Sequence, residues 1–180
     1  MVTVTNKVGN DSSTNLEAMT TAAATPVAGD LVVAVFARGH TPGTTQNAGS
    51  LVASANGLTF SRVAVSAEQT YLPGAADNTT LRLEAYVADQ FVGGSPASMT
   101  LTHTATIGPG GTGINAHGAC WWWFTLQGML RAGPAAVRQV ALAYSMSAGA
   151  PVFTFGSNVK TENPTAYKFV SQSKTSSTAA

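Results

Sequence analysis

Between Asp89 and Glu162 the sequence has no Asp and no Glu, and between Asp89 and Arg131 it has no Asp, Glu, Lys or Arg. Hydrolytic, phosphoryl-transfer and metal-dependent chemistries need a carboxylate, a base or a ligand cluster held close together. A long uncharged segment offers none of these. Charged residues are 9% of the whole chain, against a typical ~25%. The single cysteine, Cys120, excludes an internal disulfide and any Cys-rich zinc site. No apolar run approaches the ~20 residues of a membrane-spanning helix. The opening Met1-Val2-Thr3-Val4-Thr5 lacks the basic front and apolar core of a secretion signal, so folding in a cytoplasm is the expectation.

What fills the gap is Thr, Ser, Ala and Gly, around a hydrophobic content of 44%. A chain of 180 residues buries about 70% of its unfolded surface on folding and needs neither disulfide nor metal as a staple. One domain is expected. The net charge of +1 makes no case for nucleic acid. Residues 1–90 carry four Lys/Arg against seven Asp/Glu, and residues 91–180 carry five against one. Opposite signs in the two halves suit docking between copies, or simply mix on one surface, where exposed pairs contribute little.

Period-2 alternation dominates the chain. In Thr80–Val87, Leu81, Leu83, Ala85 and Val87 share one face, and Arg82, Glu84 and Tyr86 share the other. That pattern predicts a half-buried strand, with Arg82 and Glu84 meeting cross-strand partners. Leu58–Val65 alternates with a phase change after Arg62. Ser98–Thr104 alternates around a row of Thr, a β-branched residue that favours the pleated surface. Asp30–Arg38 and Ala119–Leu126 are continuous apolar runs and predict strands buried on both faces. Val140–Met146 is read as a further strand, with a helix as the alternative, and Pro151–Phe155 and Tyr167–Val170 as shorter ones.

Gly/Pro signals separate these runs, at His40-Thr41-Pro42-Gly43, Asn56-Gly57, Leu72-Pro73-Gly74, Gly93-Gly94-Ser95-Pro96 and Gly108 to Gly113. Many short strands with such punctuation predict an all-β, antiparallel sandwich of jelly-roll type. The expected layout is an N-terminal arm or edge strand over 1–14, a sandwich over 15–170 and a polar C-terminal arm over 171–180.

The chemistry-bearing motifs are weak. Gly108-Pro109-Gly110-Gly111-Thr112-Gly113 has no Gly-Lys-Ser/Thr and no helix after it, so it fails as a phosphate loop and reads as a surface loop. His40, His103 and His117 lie at no metal spacing to another ligand. His117 and Cys120 fall on opposite faces of a strand, which argues against a shared metal or a catalytic pair, and Cys120 reads as a small buried hydrophobe. The acids are scattered singly, with no Gly-x-Ser-x-Gly elbow. No catalytic residue, metal or cofactor is therefore expected.

In Trp121-Trp122-Trp123-Phe124, alternate rings point to opposite sheet faces. One pair is expected in the core. The other is left under a loop, against a neighbour, or as a stacking platform for sugar. Val2 and Val4 are candidates for strand addition to a sheet edge, of this chain or of a neighbour. Gly110 and Gly111 are candidates for loop contact with a partner, and Trp122 and Tyr86 for exposed-ring contact.

The run Val27-Ala28-Gly29-Asp30-Leu31-Val32-Val33-Ala34-Val35 is similar to an opening strand that recurs in phage and prophage virion proteins. The segment Leu83–Asp89, the Ser/Thr-rich strand Ala97–Thr104 and the aromatic strand Trp121–Gly128 follow in matching order. Over about residues 15–130 the chain resembles phage capsid decoration proteins and tail-fibre or appendage domains. The resemblance implies a β-sandwich, a structural role without catalysis, and a place on the exterior of a virion made in a bacterial cytoplasm. The implied partners are the major capsid protein and other copies of the chain, with neither nucleic acid nor membrane. No functional residue carries over. The Trp triplet and the last 50 residues depart from the pattern. The second expectation is a tail-fibre sugar-binding module using exposed Trp122 or Tyr86.

Overall fold

The computed structural model describes residues 3–12, 18–40, 47, 49–66, 69–71, 79–88, 96–105, 116–128 and 133–137. Nine strands lie in these segments: β1 Thr3–Ser12, β2 Ala18–Thr20, β3 Leu31–His40, β4 Ser50–Ala53, β5 Phe60–Val65, β6 Gln69–Tyr71, β7 Thr79–Ala88, β8 Leu101–Thr104 and β9 Ala116–Gln127. A short 3-10 turn follows at Gly133–Ala136. The expected strands at 140–146, 151–155 and 167–170, and the C-terminal arm, fall outside the described residues.

The strands form two antiparallel sheets. The larger runs β1-β9-β3-β7-β5, with β6 continuing the edge of β7 beyond β5. The smaller runs β2-β8-β4. An inner apolar cluster joins them face to face: Val32, Ala34, Phe36, Tyr86, Ala88, Trp121 and Trp123 of the large sheet meet Met19 and Leu101 of the small one. The protein is therefore all-β and sandwich-like, as its alternation predicts. The back of the large sheet holds a second cluster of Leu31, Val87, Phe124 and Leu126, with Val4, Val33, Val63, Trp122, Ala136 and Val137 packed on it.

The aromatic run divides as strand geometry requires. Trp121 and Trp123 enter the inner cluster, and Trp122 and Phe124 the outer one. The run 30–38 is fully buried on its inner face at Val32, Ala34 and Phe36, and half-buried on its outer face at Val33, Val35 and Ala37. The phase change after Arg62 is a β-bulge: Arg62 lies opposite Tyr86 and Ala64 opposite Ala85, which leaves Val63 as the extra residue. Asn56 (φ 69°) and Gly57 (φ 59°) both take left-handed backbone between β4 and β5, the conformation for which an Asn-Gly pair is suited. Gly29 (φ 89°) turns the chain into β3, with Asp30 N–H donating to the Val27 carbonyl and the Asp30 carboxylate accepting from Val27 N–H. Residues 3–12 form the outermost of the described strands of the large sheet, hydrogen-bonded to β9.

Candidate functional site

The expectation for β7 needs correction. Its polar row does not face solvent. Glu84 is 1% exposed and Tyr86 3%. The small sheet lies over that row, so both faces of β7 are covered. The side chains remain polar in the interior because they satisfy one another.

Alternation builds the site. On β7, Arg82, Glu84 and Tyr86 share the inward side. On β8, His103 follows Leu101 and Met99 inward, and it is 1% exposed. On β3, Phe36 stands opposite Glu84 and Ala34 opposite Tyr86. The His103 ring stacks on Phe36 at 4.4 Å and 18°. Tyr86 meets both rings edge-on, at 6.1 Å from Phe36 and 5.7 Å from His103. Gly49, just before β4, fills the remaining side. An added Cβ there would lie 2.0 Å from His103 Nε2, so only glycine permits the approach.

Glu84 is the centre. The Gly49 N–H donates toward both carboxylate oxygens, at 3.3 Å each. The Tyr86 hydroxyl donates to Oε2, with the Gly49 carbonyl 3.0 Å away as a second acceptor within reach. His103 Nε2 lies 3.4 Å from Oε2 and 3.3 Å from the Tyr86 oxygen. Arg82 Nε donates to Oε1 at 3.0 Å, and Arg62 Nη1 is 3.6 Å from Oε2. Arg38, 1% exposed, donates to the Ala105 carbonyl at 3.4 Å.

Burial alone would raise the Glu84 carboxyl. Hydrogen bonds from His103 and Tyr86, the His103 interaction and the Gly49 N–H outweigh it and hold the group at about 2. Burial raises the Tyr86 phenol, and its bond to the Glu84 carboxylate raises it further. Burial lowers His103, against the pull of Glu84 and with help from Arg38 and Arg62, so the imidazole is neutral at pH 7. Burial likewise lowers Arg38 to about 10, opposed by Glu84 and Tyr86, and it stays charged. The resting state is thus a carboxylate, a neutral imidazole, a neutral phenol and guanidinium groups.

Acid, base and hydroxyl are in contact here, as in a catalytic constellation, yet each is sealed from solvent. What the arrangement does is join the sheets: Glu84 and Tyr86 belong to the large one, His103 to the small one, and Gly49 to the approach to β4. No group of three or more His, Cys, Asp or Glu among the described residues is placed to hold a metal ion. No helix among them is long and apolar enough to cross a membrane.

The expected contact residues fare differently. Tyr86 is buried and cannot serve as an exposed ring. Trp122 is half-buried on the outer face, opposite Val35 on one side and Gly9 on the other. Val4 lies in β1 opposite Leu126 and packs on the outer cluster of its own fold. Cys120 is half-buried rather than buried. Val2, Gly110 and Gly111 fall outside the described residues. The Glu84–His103 pairing escaped the sequence reading, although a signal existed: His103 shares its strand face with Met99 and Leu101, so the face that holds the apolar residues also holds the imidazole. Compared with known proteins, the chain matches no family model, no curated protein and no solved structure.

Proposed function

We propose that this chain is a non-catalytic virion structural protein that binds the exterior of an assembled phage capsid and cements it. Its partners are the major capsid protein and other copies of itself. The observation that carries the reading is where the reactive side chains go. Glu84, His103 and Tyr86 are each no more than 3% exposed, and they bond with one another and with Gly49. The small sheet instead exposes Ala18, Thr20, Ser50, Val52 and Thr104, none of them charged. Hydroxyl and small apolar groups suit close packing against a broad surface, where a charge would first have to lose its water. The resemblance over about residues 15–130 supports the same reading.

The mechanism is linkage. A protein that binds the closed shell and not its separated subunits stabilises the shell by mass action. The sugar-binding alternative retains Trp122 alone, because the second ring, Tyr86, is inside.

Cosedimentation tests the proposal. The purified chain should pellet with assembled shells and bind free capsid subunits far more weakly. Shells carrying it should hold their contents to a higher temperature than shells without it. Failure to bind assembled shells overturns the reading, as does selective glycan capture that Trp122→Ala abolishes.

A further inference from the structure

We propose that the Glu84 cluster is an acid-operated latch between the two sheets, which releases the small sheet while the large sheet stays folded. Most of the side-chain hydrogen bonds described between the sheets gather on this one carboxylate, with Arg38 to the Ala105 carbonyl as a separate bond beside it. Gly49 N–H and His103 Nε2 reach it from the small-sheet side, and Tyr86 links it to the Gly49 carbonyl. The large sheet has an independent apolar cluster on its back, centred on Leu31, Val87, Phe124 and Leu126. It therefore keeps a packed face when the small sheet departs. The small sheet has only three strands of three or four residues, so its hold on the large sheet rests on few groups: the inner apolar cluster and the polar contacts beside it.

Among the described side chains, the ionisable ones facing the latch are Arg82 and Tyr86 on β7, Arg38 on β3, Arg62 on β5 and His103 on β8. The inward side chains Met19 of β2, Leu51 and Ala53 of β4, and Ala119, Trp121 and Trp123 of β9 add none. A proton on Glu84 removes an acceptor from these bonds and takes the shared counter-charge from the surrounding guanidinium groups. A proton on His103 puts a cation inside, near Arg38 and Arg62. Both events are easier once the sheets separate. The opened state binds more protons, so opening increases as pH falls. Both groups are held below their ordinary values, 6.5 for His103 and 4.5 for Glu84. The latch is fully closed above pH 6.5, loosens below it as His103 takes part, and loosens more steeply below 4.5.

Amide hydrogen exchange on the intact chain between pH 7.5 and 3.5, corrected for intrinsic rates, reads this directly. Opening constants for β4 and β8 should rise below pH 6.5 by up to about tenfold per pH unit, and more steeply below 4.5, while β3 and β9 keep their protection. In Glu84→Gln, β4 and β8 should already open more at pH 7.5 and gain no further step below 4.5. Should that variant not fold, the comparison of sheets in the native chain still decides. A pH-independent small sheet, or equal loss of protection in both sheets, overturns the latch.

Discussion

At the scale of single residues, Glu84 is the position on which the most depends. It carries the only acid charge in the inner face of β7, and its partners come from β5, β7, β8 and the approach to β4. Removing one member of a buried ionic group is far more damaging than replacing the whole group, because the remaining charges stay desolvated. Glu84→Gln keeps the shape and removes the charge. It should cost about 3 kcal/mol, read as a lower urea midpoint at neutral pH. Gly49 is the second such position. Its methyl in Gly49→Ala would collide with the His103 ring. The ring is stacked on Phe36 and has little room to retreat. A cost of about 2 kcal/mol is expected, seen as a lower melting temperature, with the His103 ring resonances displaced in NMR spectra. Neither position declared itself in the sequence. Glycine spacing carries no record of a contact 54 residues away, between Gly49 and His103. Alternation on β7 separates two faces but does not say which face a second sheet will cover.

At the scale of elements, much was legible. Alternation located β5, β7 and β8, and continuous apolar runs located β3 and β9. The break in phase after Arg62 marked the bulge to the residue, since an extra residue in a strand must invert every side chain beyond it. The Asn56-Gly57 turn was legible for a backbone reason, as both residues adopt positive φ. Its second task was not. The Asn56 carboxamide donates to the Ala97 carbonyl and accepts from the Ala97 N–H, each at 2.7 Å. It thereby pins the segment that leads into β8. Asn56→Ala loses both bonds and should cost about 1–2 kcal/mol in denaturant unfolding. Asn56→Asp keeps the acceptor but aims a carboxylate at the Ala97 carbonyl, and should recover only part of that stability. Strand neighbours were illegible throughout, because a period of two fixes the face of a side chain and says nothing about which strand lies beside it.

At the scale of the whole molecule, the two clusters set on opposite faces of one sheet explain how the chain tolerates so few charges. Apolar area on both sides of β3, β7 and β9 supplies the cohesion, and among the described residues Glu84, Arg38, Arg82 and His103 gather at one place between the sheets. The order in which the large sheet assembles has its own consequence. Among the described strands β1 is bonded only to β9, and Thr5 meets the Thr125 hydroxyl at 2.6 Å across 120 residues of chain. Closing so long a loop comes before any contact can reward it, and topologies of this kind fold in milliseconds to seconds rather than microseconds. Stopped-flow refolding followed by tryptophan fluorescence should give a dominant phase in that range, since the three indoles lie on the strand that β1 must find. During synthesis the first strand leaves the ribosome well before its partner exists. Its residues must wait, unpaired, until Gln127 has cleared the exit tunnel, so a stalled or truncated nascent chain ending before that point would present an uncovered β-edge to the cell.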